Sequence, residues 1–254
     1  MMIIKEQFNP MLNNLEEYID PYLYDAEYGR YEGDFDLFLN FIPRGNVLDL
    51  ACGTGRLTIP LARKGVRVVG LDAFKPMLAL AQEKSNELPI EWIQGDIRNF
   101  HLNETFDLIL MVGNAFQALL SEEDQIQMLT SVRKHLKPSG LFVFNTRNPQ
   151  DNDFKDLNEF EFWHDFRDQR GDDVKVYGRQ QSGPSQQLVT YTTKRVWGDK
   201  ETLTHICLRF TPYDQLMKLL ERAGFEVRSV YGDNQKQPFH KDSVSIIPVC
   251  GQRL

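Results

Sequence analysis

Cysteine is scarce in this chain: Cys52, Cys207 and Cys250 are the three in 254 residues, with no Cys-x-x-Cys pair. No histidine stands at ligand spacing from any of them. This argues against a disulfide framework and a structural zinc site, and no metal is expected. A basic surplus is absent too, since the formal net charge is -7 at pH 7. Sequence-independent nucleic-acid binders carry a basic stripe, so nucleic acid is a disfavoured partner and a small or neutral substrate fits better. No segment approaches the ~20 consecutive apolar residues that a membrane span needs. The opening residues, MMIIKEQFNP, lack the basic flank and apolar run of a signal peptide, which points to the cytoplasm. Internal repeats and low-complexity tracts are also missing. What remains is ordinary soluble composition, with 41% hydrophobic and 26% charged residues, enough for one domain with a sizeable insertion.

Apolar runs alternate with helical patterns between residues 46 and 147. NVLDL (46–50), VRVVGL (66–71), IEWIQ (90–94), FDLILMV (106–112) and GLFVFNT (140–146) read as strands. They are nearly continuous in apolar character, as parallel strands covered on both faces tend to be. Helices are predicted over 56–64, 75–87 and 122–136. The last follows Ser121 and carries three acids in its first turn, where they favour the helix dipole. Alternating strand and helix predicts an α/β fold with a doubly wound, mostly parallel, seven-stranded Rossmann-like sheet. After Pro149 the texture changes. Residues 150–172 are polar with interspersed aromatics, and 173–210 alternate with β-branched residues, as antiparallel strands do. Helix and strand return at 211–250. The expected organisation is an N-terminal helical lid (1–40), a core made of 41–149 and 211–254, and a β-rich insertion after strand 5 (150–210) covering the substrate site. Edge strands of that insertion could pair between chains, so a homodimer is possible.

Three cofactor types compete for the glycine turn in VLDLACGTGRLTIPLARKGVRVVGLD, Val47 to Asp72. A phosphate-cradling loop needs Lys-Ser/Thr after its glycines. Here Gly55 is followed by Arg56-Leu57-Thr58, so that chemistry fails. A dinucleotide fingerprint needs a third glycine where Arg56 stands. Arg56 could still reach a phosphate from a loop, so a dehydrogenase is disfavoured rather than impossible. The third type is S-adenosylmethionine. VLDLACGTGR followed by VVGLD resembles the first two motifs of class I S-adenosylmethionine-dependent methyltransferases. IQGDIRNF and FDLILMVGNAFQAL resemble the family's next two motifs, and FTPYDQLMKLLERAGFEVRSVYGD resembles its closing helix and strand. Together they cover about residues 40–148 and 211–250.

The resemblance implies S-adenosylmethionine as cofactor and a named set of binding residues. Asp49 would lie beside the methionine part, and Ala51, Cys52, Gly53 and Gly55 would pass under the cofactor. Small residues suit that close backbone approach, and Ala51 stands where many members have glycine. Cys52 reads as a small packed residue. Asp72 would accept both ribose hydroxyls, with Ala73, Phe74 and Met77 covering the adenine. Gly95, Asp96 and Ile97 would meet the adenine edge, Asp96 accepting from its amino group. Val112, Gly113 and Asn114 would line the methyl side. Tyr28 and Arg30, in a tyrosine-rich segment, would close over the cofactor, Arg30 or a tyrosine hydroxyl pairing with its carboxylate. The bland alternative for that segment is an amphipathic helix packing tyrosines on the sheet.

For the acceptor side the sequence nominates Asn114, Arg147, His164, Tyr191 and Arg209. Asn114 and Arg147 follow strand ends, where open α/β sheets bind ligands. His164, in the aromatic-rich loop EFWHDF, is a candidate base, with a packed or surface histidine as the plainer reading; Arg209 reads as an exposed charge. The turn Val112-Gly113-Asn114-Ala115-Phe116 lacks the prolines that base-amine methylation uses and the Pro-Cys of cytosine C5 methylation. The expectation is therefore methyl transfer by in-line displacement to nitrogen or oxygen of a small molecule. A tRNA- or protein-directed methyltransferase of the same fold, or a non-catalytic cofactor-binding relative, are the alternatives.

Overall fold

The computed structural model describes residues 14, 16–42, 45–183, 185 and 187–253. The first part of the expected lid, residues 1–13 and 15, lies outside the described residues. The central sheet contains β1 (Asn46–Leu50), β2 (Arg67–Asp72), β3 (Glu91–Gln94), β4 (Phe106–Met111), β5 (Leu136–Phe144) and the short β6 (Thr146–Arg147). A four-stranded sheet follows: β7 (Leu157–Arg167), β8 (Asp173–Ser182), β9 (Leu188–Trp197) and β10 (Lys200–Arg209). The chain returns to the central sheet with β11 (Phe225–Tyr231) and β12 (Ser245–Gln252). The helices are α1 (Pro21–Tyr28), α2 (Phe35–Leu39), α3 (Thr58–Arg63), α4 (Lys75–Ser85), α5 (Glu122–His135) and α6 (Tyr213–Arg222). Among the described residues no helix is long and apolar enough to cross a membrane.

The central strands run in the order β11-β12-β5-β4-β1-β2-β3, with β6 beside β12. β1 to β5 are mutually parallel, while β12 runs antiparallel to both β5 and β11. Alternation along the buried strands builds two cores. Leu48, Leu50, Val69, Leu71, Ile109 and Met111 face α5 and α6, through Met128, Leu129, Val132, Leu216, Leu219 and Leu220. Val47, Val68, Leu108 and Leu110 face the other way, onto Leu37, Phe38, Leu57 and Leu61. Each fully buried leucine or phenylalanine contributes about 1.5–3 kcal/mol of transfer free energy, so both faces are strongly held. The strand order reverses between β1 and β4. The carboxyl ends of the strands at such a switch point are the usual ligand position in open α/β sheets.

The predicted start of α5 forms, and a second capped helix start is found at Asp20. Ser121 Oγ accepts from the Asp124 amide at 3.0 Å, starting α5. Asp20 accepts from the Tyr22 and Leu23 amides at 3.1 and 3.0 Å, with Pro21 at the first helical position of α1. One strand was not anticipated: β7 occupies part of the region read as polar and irregular. Its register slips between Phe162 and His164, so Trp163 is an extra residue, a β-bulge. The smaller sheet packs Val189, Tyr191, Ile206 and Phe210 against Tyr18 and Phe154.

Candidate active site

The glycine turn leaves β1 through three residues in the left-handed region: Ala51 at φ 54°, Gly53 at 55° and Gly55 at 80°. Glycine takes that conformation freely; Ala51 does so at some cost. Gly55 is packed from below. A Cβ there would lie 2.7 Å from the Trp92 ring and 3.0 Å from Ile59. Gly53 and Gly113 face open space, with nothing within 4 Å of an added Cβ. Asp72, at the tip of β2, binds the turn: its Oδ2 accepts from the Gly53 amide and its Oδ1 from the Phe74 amide, both at 2.8 Å. Burial pushes its carboxyl up, and the two amides pull it back. Asp49 is fully buried beneath. Thr58 Oγ1 donates to its Oδ2 at 2.6 Å, while Oδ1 has no partner among the described residues. Burial raises Asp49 to about 7, with Thr58 opposing.

The neighbouring residues fall around this turn in different ways. Ala73 and Phe74 are half-buried at the start of α4, and Met77 is buried in it. Cys52 is buried, and burial raises its thiol well above the ordinary value. The Gly95 amide donates to the Asp72 carbonyl at 3.0 Å, and Ile97 is buried. Asp96 is less available than its position suggested. Arg98 donates to both its oxygens, at 2.5 Å from Nη2 and 3.0 Å from Nε, and also reaches Asp124 at 2.9 Å. Burial raises the Asp96 carboxyl, but the Arg98 bonds outweigh it and leave the value below ordinary.

Arg56 has a different task from phosphate contact. It pairs with Asp34 through two bonds of 2.6 and 2.8 Å and donates to the Tyr31 carbonyl at 2.8 Å. The N-terminal segment is fastened across the glycine turn again by Asp25. Its Oδ1 accepts from Thr54 Oγ1 at 2.5 Å and from Lys84 at 2.6 Å. Tyr24 stands between Tyr18 and Tyr28, with ring centroids 5.4 and 5.1 Å away. The segment is thus a 3-10 turn and two short helices rather than one amphipathic helix. Tyr28 sits at the exposed end of α1, and Arg30 is exposed on the turn after it, in no ion pair with a described residue.

On the acceptor side, Val112 is buried at the end of β4 and Gly113 and Asn114 take left-handed conformations at φ 69° and 58°. The Asn114 amide donates to Asn145 Oδ1 at 3.1 Å, and its own Oδ1 is buried without a partner. Arg147 is exposed at the end of β6; Tyr191 is buried in the second sheet, where burial pushes its phenol up and Arg147 opposes. Two expectations are corrected. His164 lies on strand β7, not in a loop, and its Nε2 is 3.0 Å from Glu27 Oε1. Arg209 is not a free surface charge: it is part-buried against the turn after β4, donating to the Leu120 carbonyl at 3.0 Å, with its Nε buried and unpartnered. Burial lowers its guanidinium, with Glu122 opposing.

Sequence reasoning missed the groups that hold the two sheets and the N-terminal segment together. Arg195 on β9 is buried between Glu27 and Glu17, at 2.7 Å to each, and also donates to Thr204 at 3.0 Å. A signal was present. Val189, Tyr191, Thr193 and Arg195 alternate onto the buried face, and an inward arginine requires acids from elsewhere. Trp163 was missed as well, because a bulge breaks the alternation that would have flagged it.

Comparison with known proteins agrees with this geometry. A family model described as a methyltransferase domain matches residues 47–140. The Bacillus subtilis (strain 168) protein YqeM, named as a methyltransferase, is 31% identical over 197 residues, 75% of this chain and 77% of its own. A cypemycin N-terminal methyltransferase from Streptomyces is 37% identical over 103 residues; that match spans 41% of this chain and 42% of the relative. Among solved structures, an S-adenosylmethionine-bound amino pentose methyltransferase from Micromonospora echinaspora shares the fold. It has a TM-score of 0.70 at 21% identity, over 89% of this chain and 95% of that one.

Proposed function

The chain belongs to the methyltransferase family, and from that premise we propose that it transfers a methyl group from S-adenosylmethionine to nitrogen or oxygen of a small molecule. The observation that carries this reading is Asp72, held by the Gly53 and Phe74 amides beside an open glycine turn. Each of its oxygens keeps a second lone pair, as two ribose hydroxyls require. The residues present therefore fit the cofactor. Asp72 would hold the ribose, the backbone of residues 51–55 would pass beneath the nucleoside, and Gly113 would leave room on the methyl side. Asp96 would contribute through its neighbouring backbone unless Arg98 releases it.

S-adenosylmethionine, when bound, supplies a methyl group already activated on a sulfonium. The protein's share is then placement of the acceptor and exclusion of water. Tyr18, Tyr24 and α1 form a roof suited to exclusion. Asn114 Oδ1 offers an acceptor for an N–H or O–H on the reacting atom. A small acceptor is supported by the acidic balance of the chain and by the shared fold with an amino pentose methyltransferase. Three free cysteines support a reducing, cytoplasmic setting.

Calorimetric titration with S-adenosylmethionine tests the cofactor, and a metabolite screen for release of S-adenosylhomocysteine tests transfer. Binding plus acceptor-dependent release is the expected result. Binding of NAD with no binding of S-adenosylmethionine would remove the reading.

A further inference from the structure

With the methyl group on the β4 side, the base of a nucleoside held at Asp72 would fall on the other side, toward β3. The two strand tips are joined there. Gln94 is the register partner of Asp72, and the Gly95 amide donates to the Asp72 carbonyl at 3.0 Å. The loop after β3, residues 95–102, therefore borders the place of the base, and its backbone must present the right face to it.

Helix α5 grips this loop with side chains from one of its faces. Asp124, Ser131 and His135 follow one another at seven and four positions, which aligns them along one side of a helix. Asp124 Oδ1 accepts from Arg98 Nη1 at 2.9 Å, and the same guanidinium binds both oxygens of Asp96. Ser131 Oγ donates to the Arg98 carbonyl at 2.8 Å. His135 Nε2 lies 2.9 Å from the Leu102 amide, and its Nδ1 lies 2.7 Å from the Ser131 carbonyl. A backbone amide can only donate and a carbonyl can only accept. The imidazole is therefore held as the neutral tautomer with its proton on Nδ1, and Nε2 accepts.

His135 is buried, and its ring lies against Phe100 with centroids 4.5 Å apart. Ile97 and Phe100 enter the core beside Met128 and Val132 of the same helix. Apolar packing is non-directional, so it fixes where the loop lies. Hydrogen bonds are directional, so those from Ser131 and His135 fix how its backbone is turned. Leaving the Leu102 amide without an acceptor would cost more than the bond itself contributes. The loop would then turn to find another partner.

Resting on the methyltransferase reading above, we propose that His135 is a positioning residue for the cofactor. Together with Ser131 it orients residues 95–102 so that the Gly95–Ile97 edge meets the base without rearranging. The residue touches no ligand; it acts through the loop that does. Without its bond the loop samples other arrangements. A loop in the binding arrangement about one-tenth of the time lowers the apparent affinity about tenfold.

The test sets His135→Leu against His135→Gln. Leucine fills the space but offers no acceptor, whereas glutamine brings a carboxamide oxygen within reach of the Leu102 amide. Calorimetry gives affinities for S-adenosylhomocysteine and for 5′-methylthioadenosine, which keeps the base and ribose but lacks the amino-acid end. Urea unfolding gives the folded fraction of each variant. His135→Leu should bind both ligands about tenfold more weakly, by the same factor, while folded, and His135→Gln should recover most of both losses. Unchanged affinity in folded His135→Leu would overturn the proposal. A loss confined to S-adenosylhomocysteine would do the same, as would a loss that glutamine does not relieve. Should His135→Leu fail to fold, Ser131→Ala decides: several-fold weaker binding of both ligands supports the proposal, and unchanged binding overturns it. These outcomes leave the methyltransferase reading intact. Failure of S-adenosylhomocysteine to bind the wild type would instead remove the functional reading beneath it.

Discussion

Glu27 on α1 accepts a 2.7 Å hydrogen bond from Arg195 on β9, and neither side chain is more than 3% exposed. The same guanidinium holds Glu17 at 2.7 Å. Removing one partner of a buried ion pair strands the others in a poor solvent for charge. Arg195→Ala should therefore destabilise the fold by about 3–5 kcal/mol. Replacing all three, as Arg195→Met with Glu17→Gln and Glu27→Gln, should recover much of that loss. Urea unfolding of both variants checks this; equal stability of the two would show that stranded charge is not the cause.

Asp72→Ala removes both the carboxylate offered to the ribose and the acceptor that anchors the Gly53 amide of the glycine turn. Loss of hydrogen bonds to a charged acceptor should weaken S-adenosylmethionine binding by about 1–3 kcal/mol. Calorimetry on wild type and variant reads the difference. Equal affinities would take Asp72 out of the site.

The two glycines of the turn should behave oppositely. A methyl at Gly55 runs into Trp92 and Ile59, so Gly55→Ala should lower the melting temperature sharply. A methyl at Gly53 meets nothing, and the cost should be limited to about 1 kcal/mol for the left-handed backbone. Gly53→Ala should nevertheless lose cofactor affinity, because the empty space is where the ligand would lie. Thermal unfolding with and without S-adenosylhomocysteine separates the two effects.

Asp49 makes the ligand-free protein sensitive to pH. Its folded value, about 7, lies above the ordinary 3.8, so the folded state binds the proton more tightly. The cost of burying the charge is absent below pH 3.8 and grows until the pH passes about 7. At 1.36 kcal/mol per unit that cost approaches about 4 kcal/mol at pH 8. Asp49→Asn should lose this decline, so denaturation midpoints of wild type and variant should diverge from about pH 4 to pH 7 and then run parallel. Curves parallel throughout would assign the decline elsewhere.

How much of this was legible beforehand depended on separation along the chain. β1 was predicted at its observed bounds, because NVLDL is apolar and is followed at once by a glycine turn. The start of α5 followed from Ser121 and three acids. Arg147 was named as an acceptor-side residue because it follows a strand end, and the fold places it on β6. The Arg195–Glu17 pair joins residues 178 positions apart, and no local pattern encodes such a partner. Asp96 looked free because sequence shows its place on the turn, not that Arg98 two residues later folds back onto it. β7 stayed hidden because its bulge and its charged, aromatic alternation read as an irregular stretch.

Asp25 and Glu27 stand two positions apart on α1, which turns them to opposite sides of the helix. Asp25 grips the glycine turn and α4 through Thr54 and Lys84, and Glu27 grips the second sheet through Arg195 and His164. One eight-residue helix is thus a common hinge pin. Any movement that parts the glycine turn from the second sheet must break one of these grips, and a cut along this helix would unfasten both at once.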